Sequence, residues 1–347
     1  MPDKILTISV AAYNAARDIS RCLDSFLIPE VMDKVEVIVV NDGSKDNTKE
    51  IAEQYSGKYP GTFKVIDKEN GGHGSTINAA LGAATGKFFK VVDSDDTVER
   101  EGFLHLLEQL EKTSADLIFT PYHHVFDNGG RIEDASYLLT EEGVEYGKEV
   151  PLSAVCDKIQ VPMHALAYRT KMLQDSPYRM DEKCFYVDVE YTIYYLIYVN
   201  NVLLLDKPVY NYYIGDEGQS INIDNMRARR AQHLRVCRSI LDFYEKEKDG
   251  MSAEMRTFIS NNIVDMALNH EYRLLVSLVD GNKSLRELKE FDGYLRNKSR
   301  FLYDLVTARG RQKHDKKIAL VSIMRKTGFA GYRLIHTVLN KKLTREL

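Results

Sequence analysis

Short apolar runs alternate with amphipathic helical segments over the first 126 residues. Residues 35–40 are almost continuously apolar, which is typical of a strand buried on both faces of a parallel sheet. Further strands are predicted at 5–13, 63–66, 88–92 and 116–119, and helices are predicted to begin near residues 19, 46, 75 and 101. This alternation predicts an α/β fold with a doubly wound, mostly parallel sheet flanked by helices.

The pattern becomes less regular after residue 126. A helical run is predicted at 188–199, and short strands at 202–205 and 209–213 are predicted to close the sheet. Only helical periodicity remains beyond residue 222. We therefore predict an α/β domain at 1–221 and a helical C-terminal region at 222–347.

The composition is that of an ordinary globular protein, with 44% hydrophobic and 28% charged residues in 347. The four cysteines lie far apart and form no CxxC pair, so we expect neither a disulfide framework nor a zinc site. The first apolar stretch is too short for a signal peptide, and no run reaches the ~18 apolar residues of a membrane span. These features predict a cytoplasmic location.

The charge is unevenly distributed, although the net value is only −4. Residues 296–347 carry 14 Lys or Arg and three Asp or Glu, a local charge of +11 that leaves −15 for the rest. Apolar residues recur at helical spacing within this basic tail: Ile318, Val321, Met324, Tyr332, Ile335 and Leu339. Such a helix either packs its apolar stripe on the protein or lies on an anionic membrane surface. Nucleic acid is disfavoured, because no recognised binding motif accompanies the charge.

Acidic and amide side chains follow three of the predicted strands. Ligands of open α/β sheets bind outside the carboxyl ends of the strands, so these residues are candidates for a binding site. Asp93, Asp95 and Asp96 follow the strand at 88–92, and their charges would repel one another without a cation. Oxygen ligands of this kind suit Mg²⁺ or Mn²⁺. The alternative is an Asp-rich turn that caps the helix beginning near Glu101.

A glycine-rich segment, Asn70-Gly71-Gly72-His73-Gly74-Ser75, lies between the second strand and the aspartates. It is neither a complete GxGxxG nor a P-loop, which disfavours kinases and NTPases. It directly precedes a predicted helix, whose N-terminus could bind an anion, although a tight turn explains the glycines equally well. Asp42, at the end of the second strand, is placed to recognise the polar edge of a nucleoside.

Four segments together resemble the family 2 glycosyltransferases of the GT-A fold. They are Tyr13-Asn14, then 39–48 with Asn41-Asp42-Gly43-Ser44, then Gly74-Ser75-Thr76-Ile77-Asn78, and then 86–96 ending in Asp93-Ser94-Asp95-Asp96. Their order and spacing match over roughly the first 100 residues. The chain differs from many family members in having Ala11 in place of Pro and Asn41 in place of Asp.

The resemblance implies that residues 1–221 bind a nucleotide sugar. Tyr13 and Asp42 would hold the nucleoside, usually uridine, and Asp93 and Asp95 would form the DxD motif, with Asp95 as the direct ligand of Mn²⁺ or Mg²⁺. The full set of implied donor-binding residues is Ala11, Tyr13, Asn14, Asp42, Gly74, Asn78, Asp93, Ser94, Asp95, Gln219 and Ser220. The last two belong to a loop expected to close over the diphosphate.

The resemblance also implies a general base. Many family members have a Glu-Asp pair opening a helix beneath the acceptor, and the matching residues here are Val187-Asp188. Asp188 is therefore expected to take the proton from the acceptor hydroxyl. Glu190 is the rival base or an acceptor contact, and an N-cap role is the structural alternative for Asp188. His164 is expected to face the acceptor.

The implied reaction is an inverting transfer of a sugar from a nucleotide-sugar donor, a UDP-sugar, to a hydroxyl of a lipid-linked polysaccharide or a glycolipid. The basic tail favours such acceptors and a peripheral position at the inner face of the plasma membrane. Two other functions stay open. One is a non-catalytic sugar-nucleotide-binding protein, because Val187 replaces the usual Glu. The other is a nucleotidyltransferase, although its basic glycine-rich loop near residue 10 is missing.

Overall fold

The structure is a computed structural model that describes residues 4–126, 130–215, 223–278, 280–312, 316–330, 332–333 and 336–337. The chain divides into two compact units, Met1–Glu217 and Gly218–Leu347. Gln219 and Ser220, predicted to contact the donor, lie outside the described residues.

The N-terminal unit is an α/β structure. Its strands are β1 Leu6–Ala12, β2 Val35–Asp42, β3 Phe63–Lys68, β4 Phe88–Asp93, β5 Thr97–Val98, β6 Leu117–Phe119, β7 Tyr122–Phe126, β8 Arg131–Ala135, β9 Glu149–Pro151, β10 Leu166–Arg169, β11 Asn201–Leu204 and β12 Tyr210–Ile214. Its α-helices are α1 Ile19–Asp24, α2 Thr48–Lys58, α3 His73–Ala83, α4 Arg100–Lys112, α5 Thr170–Asp175 and α6 Asp188–Ile193.

The central sheet has eight strands in the order β3-β2-β1-β4-β10-β6-β11-β9. The pairs β1–β2, β1–β4 and β2–β3 are parallel, as predicted from the alternating pattern. All eight residues of β2 are buried, which explains its continuous apolar run. The parallel strands place the ends of β1, β2 and β4 at one edge of the sheet, since Ala11 pairs with both Val40 and Asp93.

Two features of the sheets differ from the predicted arrangement. β10, whose direction was not predicted, is inserted antiparallel between β4 and β6, so the mostly parallel sheet expected from the sequence contains antiparallel pairs. β12 was predicted to close the central sheet. It belongs instead to a second sheet with the order β5-β12-β7-β8. The predicted helical run at 188–199 is also shorter, because α6 ends at Ile193 and a 3₁₀ turn follows at Leu196–Tyr198.

The C-terminal unit is helical in its described part, as predicted. Its α-helices are α7 Ile223–Ala228, α8 Arg230–Glu247, α9 Ala253–Ile263, α10 Asn269–Ser277, α11 Gly281–Lys298, α12 Arg300–Gln312 and α13 Lys316–Lys326. A π-helical turn at Val264–Leu268 joins α9 to α10. No helix within the described ranges is long and apolar enough to cross a membrane.

The described part of the basic tail packs its apolar residues into the C-terminal unit. Val321, Met324 and Tyr332 are buried. Arg325 is also buried, with Nε 2.7 Å from Oδ1 of Asp292 and the guanidinium 3.6 Å from the ring centre of Tyr303. The first of the two alternatives for this helix therefore holds for these residues. The side chains of Ile318, Ile335 and Leu339 lie outside the described residues.

Candidate active site

Asp93 stands at the carboxyl end of β4 beside an imidazole. Its Oδ1 lies 3.3 Å from Nε2 of His73, in the first turn of α3, and the Asp93 side chain is 30% exposed. Burial by itself would raise the pKa of Asp93, but the neighbouring imidazole outweighs it and holds that pKa below the ordinary value. Asp93 is therefore ionised at neutral pH and remains accessible to a ligand.

The pKa of His73 reflects the charges of three carboxylates of the site. Burial would lower its pKa, but the contact with Asp93 and the negative charges of Asp188 and Asp95 raise it. Its Nε2 is buried and makes no hydrogen bond of regular geometry. These electrostatic effects fall off with distance, so the aspartate after β4 and the aspartate that opens α6 share one local environment. The sequence analysis assigned His73 no role of its own.

Asp96 has a structural task and is poorly suited to binding a ligand. The carboxylate is buried, with Oδ2 accepting a hydrogen bond of 2.5 Å from the Tyr210 hydroxyl and Oδ1 accepting one of 2.8 Å from the backbone N–H of Tyr213. Burial and the charges of Asp95 and Asp93 raise its pKa. Tyr210 also accepts a hydrogen bond of 3.1 Å from the N–H of Asp93. Asp96 thus ties the aspartate turn to β12.

The capping alternative for the aspartates is wrong. The N-cap of α4 is Glu99, whose carboxylate accepts a hydrogen bond of 2.6 Å from the N–H of Gly102. Asp93, Ser94 and Asp95 are half-buried at the sheet edge. Arg21 also holds the turn formed by these residues, because its Nη2 donates a hydrogen bond of 2.6 Å to the carbonyl of Asp95.

Arg21 also stacks its guanidinium 3.9 Å from the ring centre of Tyr213 in β12. This role of Arg21 was not predicted from the sequence, because Asp95 and Tyr213 are more than 70 positions away along the chain. The only local signal was a cation at the end of the first predicted helix. Arg21 and Asp96 together fix the position of the backbone that carries Asp93 and Asp95.

The carboxylate of Asp42 lies at the N-terminus of α3. Its Oδ1 accepts a hydrogen bond from the N–H of Gly71 and its Oδ2 accepts one from the N–H of Gly72, both at 2.8 Å. Nζ of Lys68 is 2.9 Å from Oδ1. The sequence left an anion site and a tight turn equally open here, and in the structure the two amides bind the protein's own buried carboxylate. Nucleoside binding by Asp42 stays a prediction.

Gly74 and Asn78 hold a neighbouring loop against α3. A Cβ at Gly74 would lie 2.2 Å from the carbonyl oxygen of Asp181, so only glycine permits this approach. Asn78 donates from Nδ2 to the carbonyl of Met180 at 2.9 Å and accepts from the N–H of Met180 at 3.1 Å. Their predicted contacts with the donor are untested, but both residues place the loop that leads to Asp188.

Tyr13 and Asn14 follow β1 at the same edge of the sheet, next to Ala11, which is half-buried. The Tyr13 ring is 50% exposed and can stack on a planar ligand. Asn14 has a positive φ of 50° and joins the ends of β1 and β2, since its N–H donates to Oγ of Ser44 at 2.9 Å and its Oδ1 accepts from the N–H of Lys45 at 2.8 Å. Ala11 pairs with Asp93 across β1 and β4.

Asp188 is the first residue of α6 and is not its N-cap. That position is Val187, which supplies no capping side chain. Burial raises the pKa of Asp188, and the charge of Asp93 adds to this effect, whereas the charge of His73 opposes it. A raised pKa makes the ionised carboxylate a stronger proton acceptor.

Both carboxylate oxygens of Glu190 accept hydrogen bonds from within the protein. Glu190 is fully buried, with Oε2 accepting a hydrogen bond of 2.7 Å from the N–H of Asp181 and Oε1 accepting one of 3.2 Å from the Tyr194 hydroxyl. These contacts favour a structural role over the rival role as base or acceptor contact. Of the two acidic residues in α6, Asp188 therefore fits catalysis better.

His164 lies in an aromatic group beside Asp93. Its ring stacks on Tyr212 at 4.4 Å between centres and meets the ring of Tyr210 edge-on at 4.8 Å. Burial lowers the pKa of His164 to about 4, so the imidazole is neutral. Buried Lys90, whose pKa burial lowers to about 7, donates to the His164 carbonyl at 2.6 Å. Asp93, Asp96 and His164 offer ligand atoms within 4.8 Å of one another.

Residues 7–163 match the family model described as glycosyl transferase family 2. The N-terminal unit contains a family 2 glycosyltransferase domain. The fold prediction is confirmed by a solved structure, that of residues 1–349 of TarS from S. aureus in complex with UDP. It superposes with a TM-score of 0.52 and 20% identity, over 93% of this chain and 92% of the TarS chain.

Curated relatives match the family 2 domain over part of their length. EpsH of Bacillus subtilis (strain 168), whose name places it among the glycosyltransferases, is 37% identical over 143 residues, which are 40% of this chain and 40% of EpsH. Chondroitin synthase of Pasteurella multocida (strain Pm70) is 37% identical over 129 residues, which are 37% of this chain and 13% of that enzyme. The chain thus spans less than half the length of these relatives.

Proposed function

We propose that the chain is an inverting glycosyltransferase that moves a sugar from a nucleotide donor, a UDP-sugar, to a hydroxyl group. One observation carries the proposal: the negative charges of Asp93, Asp188 and Asp95 all raise the pKa of His73, which supports one site for the predicted donor carboxylates and the predicted base. The family 2 domain supports the reaction class. The UDP bound by TarS supports the choice of nucleotide.

The donor side is formed by the ends of β1, β2 and β4. Tyr13 stacks on the base, and the Gly71-Gly72 segment anchored by Asp42 forms the adjoining wall. Asp93 and Asp95 fit a divalent metal, because their oxygens are of the type that Mg²⁺ and Mn²⁺ prefer and Asp93 is ionised and partly exposed. Mn²⁺ or Mg²⁺ bound there would offset the charge of the departing diphosphate.

Asp188 acts on the acceptor side. An alcohol is a weak nucleophile until its proton is removed, and Asp188 takes that proton as the oxygen attacks the anomeric carbon. Direct attack on the face opposite the diphosphate inverts the configuration at that carbon. His164, Tyr122 and Tyr212 provide flat ring surfaces near the aspartates, and we assign them to acceptor binding.

The acceptor is a lipid-linked polysaccharide or a glycolipid. The name of chondroitin synthase supports a polysaccharide product. The basic tail supports an acceptor at an anionic membrane surface, and hence a cytoplasmic protein at the inner face of the plasma membrane. Since Val321, Met324 and Tyr332 are buried, we propose that the contact is made by exposed charges such as Lys326 and Arg333 and not by an inserted apolar stripe.

A donor panel tests the central proposal. UDP-, GDP- and dTDP-sugars are offered with Mn²⁺ or with EDTA, and binding and slow hydrolysis are measured. We expect UDP-sugars to bind at least about tenfold more tightly with Mn²⁺, a difference of about 1.4 kcal/mol. If no nucleotide sugar binds under either condition, the proposal fails. Binding without any transfer or hydrolysis would instead favour a non-catalytic sugar-nucleotide-binding protein.

Vesicle flotation tests the membrane contact. Binding through exposed charges is screened by salt, so the chain is expected to float with phosphatidylserine vesicles at low ionic strength and to be released at about 1 M salt, where the Debye length is about 3 Å. Neutral phosphatidylcholine vesicles are the control. Flotation that persists at high salt would contradict the electrostatic mechanism and indicate insertion of apolar residues.

A further inference from the structure

The C-terminal unit brings three potential metal ligands together in its interior. His233 and Cys237 lie one turn apart on α8, and Glu271 lies on α10. Their exposed fractions are 2%, 0% and 1%. No zinc site was expected from the sequence, on the ground that the cysteines form no CxxC pair and have no nearby His at metal-ligand spacing. However, a spacing of four residues places His233 and Cys237 on one helix face.

One of the two measured distances suits a small tetrahedral cation, and the other requires a shift of the carboxylate. Sγ of Cys237 is 3.7 Å from Nδ1 of His233, and bonds of about 2.3 Å to sulfur and about 2.0 Å to nitrogen imply about 3.6 Å between those atoms. Nδ1 of His233 is 2.6 Å from Oε2 of Glu271. A shared tetrahedral ion requires about 3.4 Å there, so the carboxylate must move by about 0.8 Å.

The surroundings of Cys237 also suit a metal ligand. Its Sγ lies 3.7 Å from the carbonyl of Ala267, within the π-helical turn Val264–Leu268. Such π-helical turns are rare and are frequent at functional sites. Burial and the charge of Glu271 raise the pKa of the Cys237 thiol, so the thiol is protonated when no cation is nearby.

A cavity reaches Glu271, one of the three ligands. It has a volume of about 260 Å³ and is lined by residues of α8, α10 and α11, among them Glu271. Arg230 and Glu287 form an ion pair of 2.7 Å on its wall. A buried metal site needs an entry path and room for water, and this cavity supplies both next to one of the three ligands.

We propose that Cys237 Sγ, His233 Nδ1 and Glu271 Oε2 bind a Zn²⁺ ion, with a water molecule from the cavity as the fourth ligand. The set of one sulfur, one nitrogen and one oxygen is of the kind that zinc accepts. Binding releases the thiol proton of Cys237 and breaks the hydrogen bond between Nδ1 of His233 and Oε2 of Glu271, whose hydrogen is also released. This site is independent of the DxD motif, and the proposal does not rest on the glycosyltransferase function.

The test uses the full chain and measures metal binding, not activity. After incubation with Zn²⁺ and gel filtration, about one equivalent of zinc per chain is expected to stay bound in the presence of excess Mg²⁺, which occupies oxygen-ligand sites. Replacing Zn²⁺ with Co²⁺ is expected to give a thiolate-to-cobalt charge-transfer absorption. Carboxylates alone cannot produce that band, so it separates this site from Asp93 and Asp95.

Cys237→Ala and His233→Asn are the diagnostic variants. Both are expected to weaken cobalt binding at least about tenfold. Cys237→Ala is also expected to remove the charge-transfer band, because it removes the thiolate. Cys184→Ala is the matched control, because Cys184 is buried in the N-terminal unit. Circular dichroism establishes that each variant is folded. The proposal is overturned if the wild-type chain retains no zinc and shows no band, or if Cys237→Ala keeps the band.

Binding is also expected to weaken as the pH falls, because the metal competes with protons for the thiolate and the imidazole. Other titratable or charged groups near the cluster are His270, stacked on His233 and neutral because burial lowers its pKa to about 4, and Arg230 on the cavity wall. A cobalt affinity that is unchanged between neutral and acidic pH would contradict ligation by Cys237. In that case the three residues form a buried His–Glu ion pair with a neighbouring thiol.

Discussion

Asp188→Asn is expected to lower kcat for sugar transfer by about 10²–10⁴, the usual contribution of a general base, while UDP binding is unchanged. Asparagine keeps the size of the side chain but cannot accept a proton at neutral pH. Steady-state kinetics and calorimetric UDP titration measure the two effects separately. Asp206→Asn, a substitution of an exposed aspartate in the same unit, is the control and should retain full activity.

The pH profile and the stability of Asp188→Asn provide independent checks. The base works only when it is ionised, so the wild-type rate should fall as the pH drops through the Asp188 pKa, which burial has raised above its ordinary value. The same raised pKa means that the charged form is disfavoured in the folded state at neutral pH. The variant should therefore melt at the same temperature or higher. Unchanged transfer would assign the base elsewhere.

Asp95→Asn is expected to weaken Mn²⁺-dependent UDP-sugar binding by about 100-fold, or about 2.7 kcal/mol. The neutral amide is a poor metal ligand, and the diphosphate loses the positive charge that the metal would provide. Metal-free binding of UDP, which rests on Tyr13 and the Gly71-Gly72 segment, should change little. Calorimetric titrations with Mn²⁺ and with EDTA separate the two contributions.

Asp96→Asn is the matched control, because the two aspartates are adjacent but differ in their surroundings. Asp96 accepts hydrogen bonds from Tyr210 and Tyr213 in the interior, so an amide placed there leaves a buried donor without a partner. The cost is about 1–3 kcal/mol of stability, seen as a lower melting temperature. If Asp95→Asn lost stability instead and kept its metal dependence, Asp95 would be a structural residue.

The order of strands and helices in the N-terminal unit could be read from the sequence because each element has its own local period. The eight buried residues of β2 and the helical spacing of apolar residues within α4 can each be recognised in a short stretch of sequence. Strand partners are not visible in this way. β10 pairs antiparallel with β4, and β12 pairs with β5 and β7, through contacts between residues 79 or more positions apart.

For the candidate site, the positions of residues at strand ends could be predicted from the sequence, but their contacts could not. Asp42 and Asp93 could be placed at one sheet edge because parallel strands end together. The partners of each side chain could not be predicted, because they are set by packing. The amides of Gly71 and Gly72 are bound to Asp42, and Arg21 reaches the carbonyl of Asp95.

The same limit applies to the basic tail. Its helical periodicity correctly grouped Val321, Met324 and Tyr332 as apolar positions that leave water, but a periodicity does not say what those side chains will contact. In the structure Met324 is buried and Arg325 pairs with buried Asp292. A membrane and a protein interior both remove apolar side chains from water, so a sequence pattern cannot tell them apart.

The carboxylate of Asp42 has a consequence for competition among anions. Helix α3 offers backbone amides at its N-terminus, and in many proteins such a site attracts free phosphate from solution. Here the covalently attached carboxylate of Asp42 already accepts hydrogen bonds from the amides of Gly71 and Gly72, which lead into the helix. We therefore expect inorganic phosphate to compete poorly for these two amides, and a donor diphosphate at the proposed site would draw on other positive groups.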